Sequence, residues 1–221
     1  MKINSKIIKE IKEKAQSFFV DSSGCHDWGH VERVYQLAVR IGEKEGADMN
    51  IVKVATYLHD IGRKEEMDGG GKVCHAEKGA DLAEVILAPY NLDKEIVENI
   101  KHSILSHRNK NNRIPKTIEA RVLFDADKLD SIGAVGVARD FLFAGYLGAA
   151  YLYTGNEKKN LKNAKDFEYT KEDTALLEYY YKLKKVKTKI MTKAGKEIAE
   201  ERHVYMVEFF KRFELEVKGL L

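Results

Sequence analysis

The stretch IVKVATYLHDIGRK, residues 51–64, contains an apolar helix pattern that is followed directly by two ionisable residues. Its apolar residues recur at the three- and four-residue spacing of a helix that buries one face: Ile51, Val54, Ala55 and Leu58. His59 and Asp60 follow at once, so the spacing places an imidazole at the edge of that buried face. Because a polar group without a partner is costly there, the stretch predicts partners from other parts of the chain.

The same periodicity recurs on both sides of this stretch. The spacing predicts helices over residues 75–87, 93–107 and 194–221, and a buried helix and turn over the glycine-rich residues 132–155. We expect turns at two segments rich in turn-forming residues, 21–24 and 68–71, and an exposed loop over the polar residues 156–173. Pro115 is expected in the first turn of a helix.

Only 2 prolines occur among 221 residues, whereas average usage would give about eleven. Since proline is excluded from helix interiors and no alternating apolar runs predict strands, we expect an all-α fold, a helical bundle.

Composition narrows the class of protein. Lys+Arg 38 against Asp+Glu 35 gives a formal charge of +3, which does not indicate nucleic acid binding; residues 182–193 are the only basic candidate. No apolar run approaches the roughly 20 residues of a membrane span, and the N-terminus lacks a signal-peptide pattern. We expect a soluble cytoplasmic protein of one domain (residues 1–221), with a core over about residues 20–155 and a helical extension over about 170–221 packed on it. A homodimer remains open.

Four residues on three separate predicted helices have the chemistry of metal ligands: His30, His59, Asp60 and Asp127. Imidazole and carboxylate together suit Mn²⁺, Fe²⁺, Ni²⁺, Co²⁺ or Zn²⁺. The alternative is that the histidines are hydrogen-bonded core residues and the aspartates are helix caps or salt-bridge partners. Spacing alone leaves both interpretations open.

Three strings around these residues resemble the HD superfamily of metal-dependent phosphohydrolases. They are HDWGHVERV at residues 26–34, YLHDIGRK at 57–64 and DADKLDSIGAVGVAR at 125–139. The last string, together with MTKAGKEIAEERHVYMVEFFKRF at 191–213, is similar to the branch that includes nucleoside triphosphate pyrophosphohydrolases.

The resemblance implies that His30, His59, Asp60 and Asp127 hold one divalent metal, with Asp60 also catalytic, inside an all-α bundle. It implies hydrolysis of a nucleoside or deoxynucleoside triphosphate to the monophosphate and pyrophosphate, by water that the metal activates, with manganese among the candidate ions. The alternatives are a nucleoside monophosphate phosphatase and a nucleotide-sensing module without turnover.

Further histidines and one aspartate are candidates for the same site. His75 and His107 are expected to contact phosphate or to hold a second metal, as two histidines do in the binuclear relatives; otherwise His75 caps its helix and His107 is an exposed helix end. His26 is expected to donate to phosphate or to a leaving oxygen. Asp27 either orients water or a ligating histidine, or caps the following helix.

Four cations complete the predicted substrate site: Arg63, Lys64, Lys128 and Arg139. Positive charge beside the ligands suits an anionic substrate, although each of these side chains has the alternative of a solvated surface charge. Arg139 lies within an apolar stretch, which predicts either a buried partner or a phosphate.

Overall fold

The computed structural model describes residues 1–20, 25–69, 73–108, 113–168 and 170–221, and helices dominate this part of the chain. The helices are α1 (Ser5–Gln16), α2 (Trp28–Glu45), α3 (Met49–Leu58), α4 (Arg63–Asp68), α5 (His75–Leu87), α6 (Lys94–Ser106), α7 (Ile118–Asp130), α8 (Gly133–Tyr146), α9 (Glu157–Asn160), α10 (Ala175–Tyr181) and α11 (Lys193–Glu216). No strand occurs within those ranges, so the expected all-α fold is confirmed.

The ends of α2 and α3 follow from local capping. The Asp27 side chain accepts a hydrogen bond of 2.9 Å from the backbone N–H of His30 and so caps the start of α2. Gly46 ends α2 in the left-handed region at φ 69°, where glycine has no steric penalty. Asp48 then caps α3 by accepting from the backbone of Asn50. These contacts fix both ends of α2 and the start of α3.

The chain divides into two compact units. The first consists of Met1–Asp127 and Met191–Gly195, and the second of Lys128–Ile190 and Lys196–Leu221. The expectation of one domain with a C-terminal extension packed on its core stays a prediction.

Helix α3 is the centre of the first unit and packs against α1, α2, α5 and α6. Its inward face is sealed from solvent, with Val54, Ala55 and Leu58 fully buried. Burial of apolar surface contributes about 25 cal/mol per Å², so this face anchors α3 firmly. The apolar stripe seen in the sequence therefore holds the helix that ends directly before His59.

A buried carboxylate joins residues 191–195 to α7 within the first unit. Asp125 accepts hydrogen bonds from the backbone N–H groups of Met191 and Thr192, at 2.8 and 2.7 Å, and from the Thr192 hydroxyl at 2.6 Å. Because Asp127 lies two residues further along α7, this anchor supports the helix turn that carries a candidate ligand.

Aromatic rings fill the second unit. Phe210 on α11 stacks on Tyr179 of α10 with ring centroids 4.2 Å apart, and it also stacks with Phe141 of α8 at 6.2 Å. Gly133 begins α8 at φ 80°, where a Cβ atom would lie 2.9 Å from Arg202. Glycine is therefore required at this turn.

Several sequence expectations need correction. Pro115 precedes α7, which begins at Ile118, so it is not in the first helical turn. The predicted loop 156–173 contains α9 and a 3₁₀ segment, Leu161–Phe167, because local turns there satisfy the backbone without an apolar stripe. Residues 132–155 are only partly buried: Leu142 and Leu152 are exposed. Residues 21–24, and 70 and 71 of the segment 68–71, lie outside the described residues.

Within the described ranges, no helix is both long enough and apolar enough to cross a membrane.

Gly62 allows the turn after Asp60 to touch α5. A Cβ atom at residue 62 would lie 2.5 Å from the carbonyl oxygen of His75 and 2.7 Å from the backbone nitrogen of Gly79. Backbone atoms cannot move aside as a flexible side chain can, so the close approach requires glycine. The contact places the His59–Asp60 turn directly against the start of α5.

We expect Gly62→Ala to lower the free energy of unfolding by about 1–3 kcal/mol, because the added methyl group pushes α5 away from the turn. Gly79→Ala is the matched control, since its Cβ atom would meet no atom closer than 3.4 Å. Urea unfolding followed by circular dichroism measures both variants. Equal stabilities of the two variants would contradict the required close approach.

Candidate metal centre

His30 is the third residue of α2 and its imidazole is completely buried. Its Nε2 atom lies 3.4 Å from Oδ1 of Asp127 on the last turn of α7, and 3.7 Å from Oδ2 of Asp60. Residues from three distant segments therefore meet at this imidazole, as their order in the sequence predicted.

His59 completes the group. Its Nδ1 atom lies 2.7 Å from the carbonyl oxygen of Thr56, and since a carbonyl only accepts, Nδ1 carries the hydrogen and Nε2 presents a lone pair. That Nε2 atom is buried, has no hydrogen-bond partner among the described residues, and lies 3.8 Å from Oδ2 of Asp60. Burial lowers the pKa of His59 to about 4, so the ring is neutral near pH 7.

One ligand atom from each of His30, His59 and Asp127 lies within 4.8 Å of the others. A lone pair on His59 and a carboxylate on Asp127, enclosed by protein, form the donor set that a divalent transition metal takes. The residues thus fit the metal that the sequence predicts at this place.

Asp60 lies between this group and a second one. Its side chain is buried, and Oδ2 accepts a hydrogen bond of 2.9 Å from Nε of Arg63. Burial by itself raises the pKa of the Asp60 carboxyl, but the guanidinium of Arg63 and the neighbouring histidines hold that pKa well below its usual range. Asp60 is therefore ionised.

The second group consists of Asp60, His75 and His107, all buried. The Nε2 atoms of the two histidines lie 3.2 Å apart, and 3.4 and 3.5 Å from Oδ1 of Asp60. Nδ1 of His107 donates to the carbonyl of Ile104 at 2.6 Å, which leaves a lone pair on its Nε2. The two structural alternatives for these histidines are wrong. His75 does not cap its helix, because Cys74 is the N-cap residue of α5, and His107 is not an exposed helix end, because it is only 1% exposed.

His26 and Asp27 lie at the start of α2. Nδ1 of His26 is 3.6 Å from Oδ2 of Asp60, and its side chain is 31% exposed, so it reaches from the first group toward solvent. Burial and the charge of Arg63 lower the pKa of His26 to about 3. Asp27 is the helix cap that one interpretation predicted, and it holds the backbone of His30, a candidate ligand. Catalytic roles for His26 and Asp27 stay predictions.

The four predicted cations have different surroundings. Arg63 is beside Asp60, Lys64 is exposed on α4, and Lys128 follows Asp127 on the last turn of α7. Arg139 belongs to the second unit and donates a hydrogen bond of 2.6 Å to the carboxylate of Asp130. Of the two kinds of partner predicted for Arg139, the structure provides a buried one, and a phosphate contact by Arg139 stays a prediction.

Two residues of the site were missed. Glu66 accepts from Nδ1 of His75 at 2.7 Å, and Arg108 donates to the other carboxylate oxygen of Glu66. Although burial raises the pKa of Glu66, hydrogen bonds from His75 and Arg108 lower it to about 2. The spacing of Glu66, three residues after Arg63 on α4, is the only sequence signal for it.

Comparison with known proteins identifies the family. The HD-domain family model matches residues 27–132, which include His30, His59, Asp60 and Asp127. YpgQ from Bacillus subtilis is 33% identical over 212 residues, which cover 96% of this chain and 94% of YpgQ. The chain belongs to the HD-domain family.

Solved structures of HD proteins extend the match to the whole fold. The structure of Bacillus subtilis YpgQ in complex with ADP shares 31% identity with a TM-score of 0.73, covering 97% of this chain and 100% of that one. An HD-superfamily hydrolase from Bacillus thuringiensis shares 27% identity with a TM-score of 0.70, covering 96% and 97%. On the basis of this family membership and these structural similarities, the protein is an HD-superfamily hydrolase.

We expect the metal-free protein to lose stability as pH falls from about 6.5 to about 4. Burial lowers the pKa of both His59 and His75 from 6.5 to about 4. In this window the unfolded chain therefore binds more protons than the folded one, and acid favours unfolding. Urea unfolding in EDTA at several pH values measures the slope. His59→Asn removes one titrating group and should make the slope shallower; equal slopes would contradict the assignment.

Proposed function

We propose that the chain is a metal-dependent phosphohydrolase that converts a nucleoside or deoxynucleoside triphosphate to the monophosphate and pyrophosphate. The observation that carries the proposal is the enclosure of one ionised carboxylate, Asp60, between two groups of buried histidines. This buried group can bind cations and has no role in packing the core. Membership of the HD family supports a hydrolase.

In this proposal the first cation is held by His30, His59, Asp60 and Asp127, and manganese is one candidate beside iron, nickel, cobalt and zinc. When bound, a divalent ion lowers the pKa of water toward neutrality and offsets negative charge on a phosphoryl oxygen. The chain's own contribution is to keep Asp60 ionised and to present the His59 lone pair without a competing proton.

A second cation is supported by the facing lone pairs of His75 and His107. Two acceptor nitrogens 3.2 Å apart, both within 3.5 Å of Oδ1 of Asp60, repel one another unless a cation or a shared proton lies between them. Asp60 would then contribute one oxygen to each cation. The same two histidines would contact phosphate in the mononuclear alternative.

Positive charge around the site supports an anionic substrate. Arg63 and Arg108, both partly exposed beside the second group, supply that charge. His26, 31% exposed and 3.6 Å from Oδ2 of Asp60, adds a neutral hydrogen-bonding group. We assign phosphate contacts to Arg63 and His26, and keep Lys64 and Lys128 as further candidates. That YpgQ was solved with ADP supports a nucleotide as the substrate.

All residues assigned to the metal site come from one chain, and the proposal is compatible with a homodimer. We place the reaction in the cytoplasm. Two alternatives share the site: a nucleoside monophosphate phosphatase releases only phosphate, and a nucleotide sensor binds without turnover.

We expect Asp60→Ala to abolish turnover and to remove most of the bound metal, because the variant deletes the carboxylate that both groups share. The measurements are metal content by mass spectrometry, and release of phosphate and of pyrophosphate over a panel of nucleotides with Mn²⁺. Asp81→Ala on the exposed side of α5 is the matched control.

The products decide between the alternatives. Phosphate without pyrophosphate supports the monophosphatase, and nucleotide binding without either product supports the sensor. Full activity in Asp60→Ala would overturn the hydrolase site itself.

We expect His107→Asn to lower the Mn²⁺ stoichiometry from two to one, since it removes a ligand of the second group and leaves the first group unchanged. Isothermal titration of metal into chelator-treated protein measures the stoichiometry. His102→Asn is the control, because Nε2 of His102 accepts from the backbone of Lys116 outside the site. A wild-type stoichiometry of one would contradict the second cation.

A further inference from the structure

Glu66 is the meeting point of three donors at the wall of the second group. One carboxylate oxygen lies 2.7 Å from Nδ1 of His75 and 3.3 Å from NH1 of Arg63. The other oxygen accepts from NH1 of Arg108. Glu66 approaches neither Asp60 nor His107 in any of these contacts, so its effect on the site passes through its three partners.

The charge of Glu66 decides the tautomer of His75. Two guanidinium groups against one carboxylate keep Glu66 ionised, and an ionised carboxylate only accepts hydrogen bonds. Nδ1 of His75 must then carry the hydrogen of the neutral ring. Nε2 is left with a lone pair, and this atom faces Oδ1 of Asp60 and Nε2 of His107.

Without Glu66 the opposite tautomer is favoured. NH1 of Arg108 lies 3.1 Å from Nδ1 of His75 and would donate to it once the carboxylate is gone. The ring hydrogen would then move to Nε2, where Asp60 and His107 both present acceptors within 3.5 Å. A hydrogen would occupy the position from which His75 binds a cation.

We infer that Glu66 is a positioning residue, which fixes the His75 tautomer so that Nε2 binds the second cation. The inference rests on the proposed function for its cation. Partners of this kind, behind a ligating histidine, typically change metal affinity by about 10- to 100-fold. Glu66 differs from the predicted site residues because it would act without touching metal or substrate.

The test compares Glu66→Met, Glu66→Gln and the control Glu77→Met in the full chain. Methionine keeps the length of the side chain and removes the acceptor, whereas glutamine keeps a neutral oxygen facing the same donors. Glu77 is a matched control because it pairs with Arg113 at 2.7 Å on a half-exposed surface of α5.

Two readouts are independent of activity. The ¹⁵N chemical shifts of His75 in metal-free protein report its tautomer, and isothermal titration with Mn²⁺ reports the affinity of each site. In Glu66→Met we expect the ring hydrogen of His75 to lie on Nε2, and the affinity of one site for Mn²⁺ to fall about 10- to 100-fold. Glu66→Gln should keep the hydrogen on Nδ1 and lose less affinity, and Glu77→Met should match the wild type.

The inference would be overturned if His75 keeps its hydrogen on Nδ1 in Glu66→Met and both sites keep their affinity for Mn²⁺ within about twofold. If that variant does not fold, an unchanged second-site affinity in Glu66→Gln overturns it instead. A wild-type protein that binds Mn²⁺ but hydrolyses no nucleotide, while Glu66→Met changes the tautomer, would refute the hydrolase proposal and leave the role of Glu66 intact.

Discussion

The structure depends on keeping one carboxylate charged inside the protein. Burial of Asp60 opposes its ionisation, and Arg63, at 2.9 Å, together with the surrounding histidines reverses that effect. The cost of burying a charge is offset only when partners are close and well oriented. Helices α2, α5 and α7, together with the residues that directly follow α3 and α6, contribute to the two groups around Asp60. The fold of the first unit and the charge of Asp60 therefore support one another.

Backbone contacts orient two of the buried histidines at this centre. Nδ1 of His59 donates a hydrogen bond to the carbonyl oxygen of Thr56, and Nδ1 of His107 donates to that of Ile104. Each carbonyl lies one helical turn before the ring that it orients. Since a helix fixes that separation, these two tautomers follow from secondary structure alone. His75 lies in the first turn of α5, has no preceding turn to anchor it, and relies on Glu66 from another helix.

This difference explains what the sequence reveals. The all-α fold and the order of His30, His59, Asp60 and Asp127 are visible because apolar stripes and short strings carry them. Glu66 and Arg108 are not visible, since neither lies on an apolar stripe and their importance comes from tertiary proximity. The loop predicted over residues 156–173 failed for a related reason: short helical turns stabilised by local hydrogen bonds leave no long periodic pattern.

The anchor between Asp125 and residues 191–192 has a consequence for biosynthesis. The donors to Asp125 lie 66 and 67 residues further along the chain, after residues 128–190 of the second unit. A growing chain emerges from the ribosome in order, so the carboxylate must wait in water or among temporary partners until that later segment appears. Completion of the first unit is thus a late event, and the inserted segment has time to begin its own collapse beforehand.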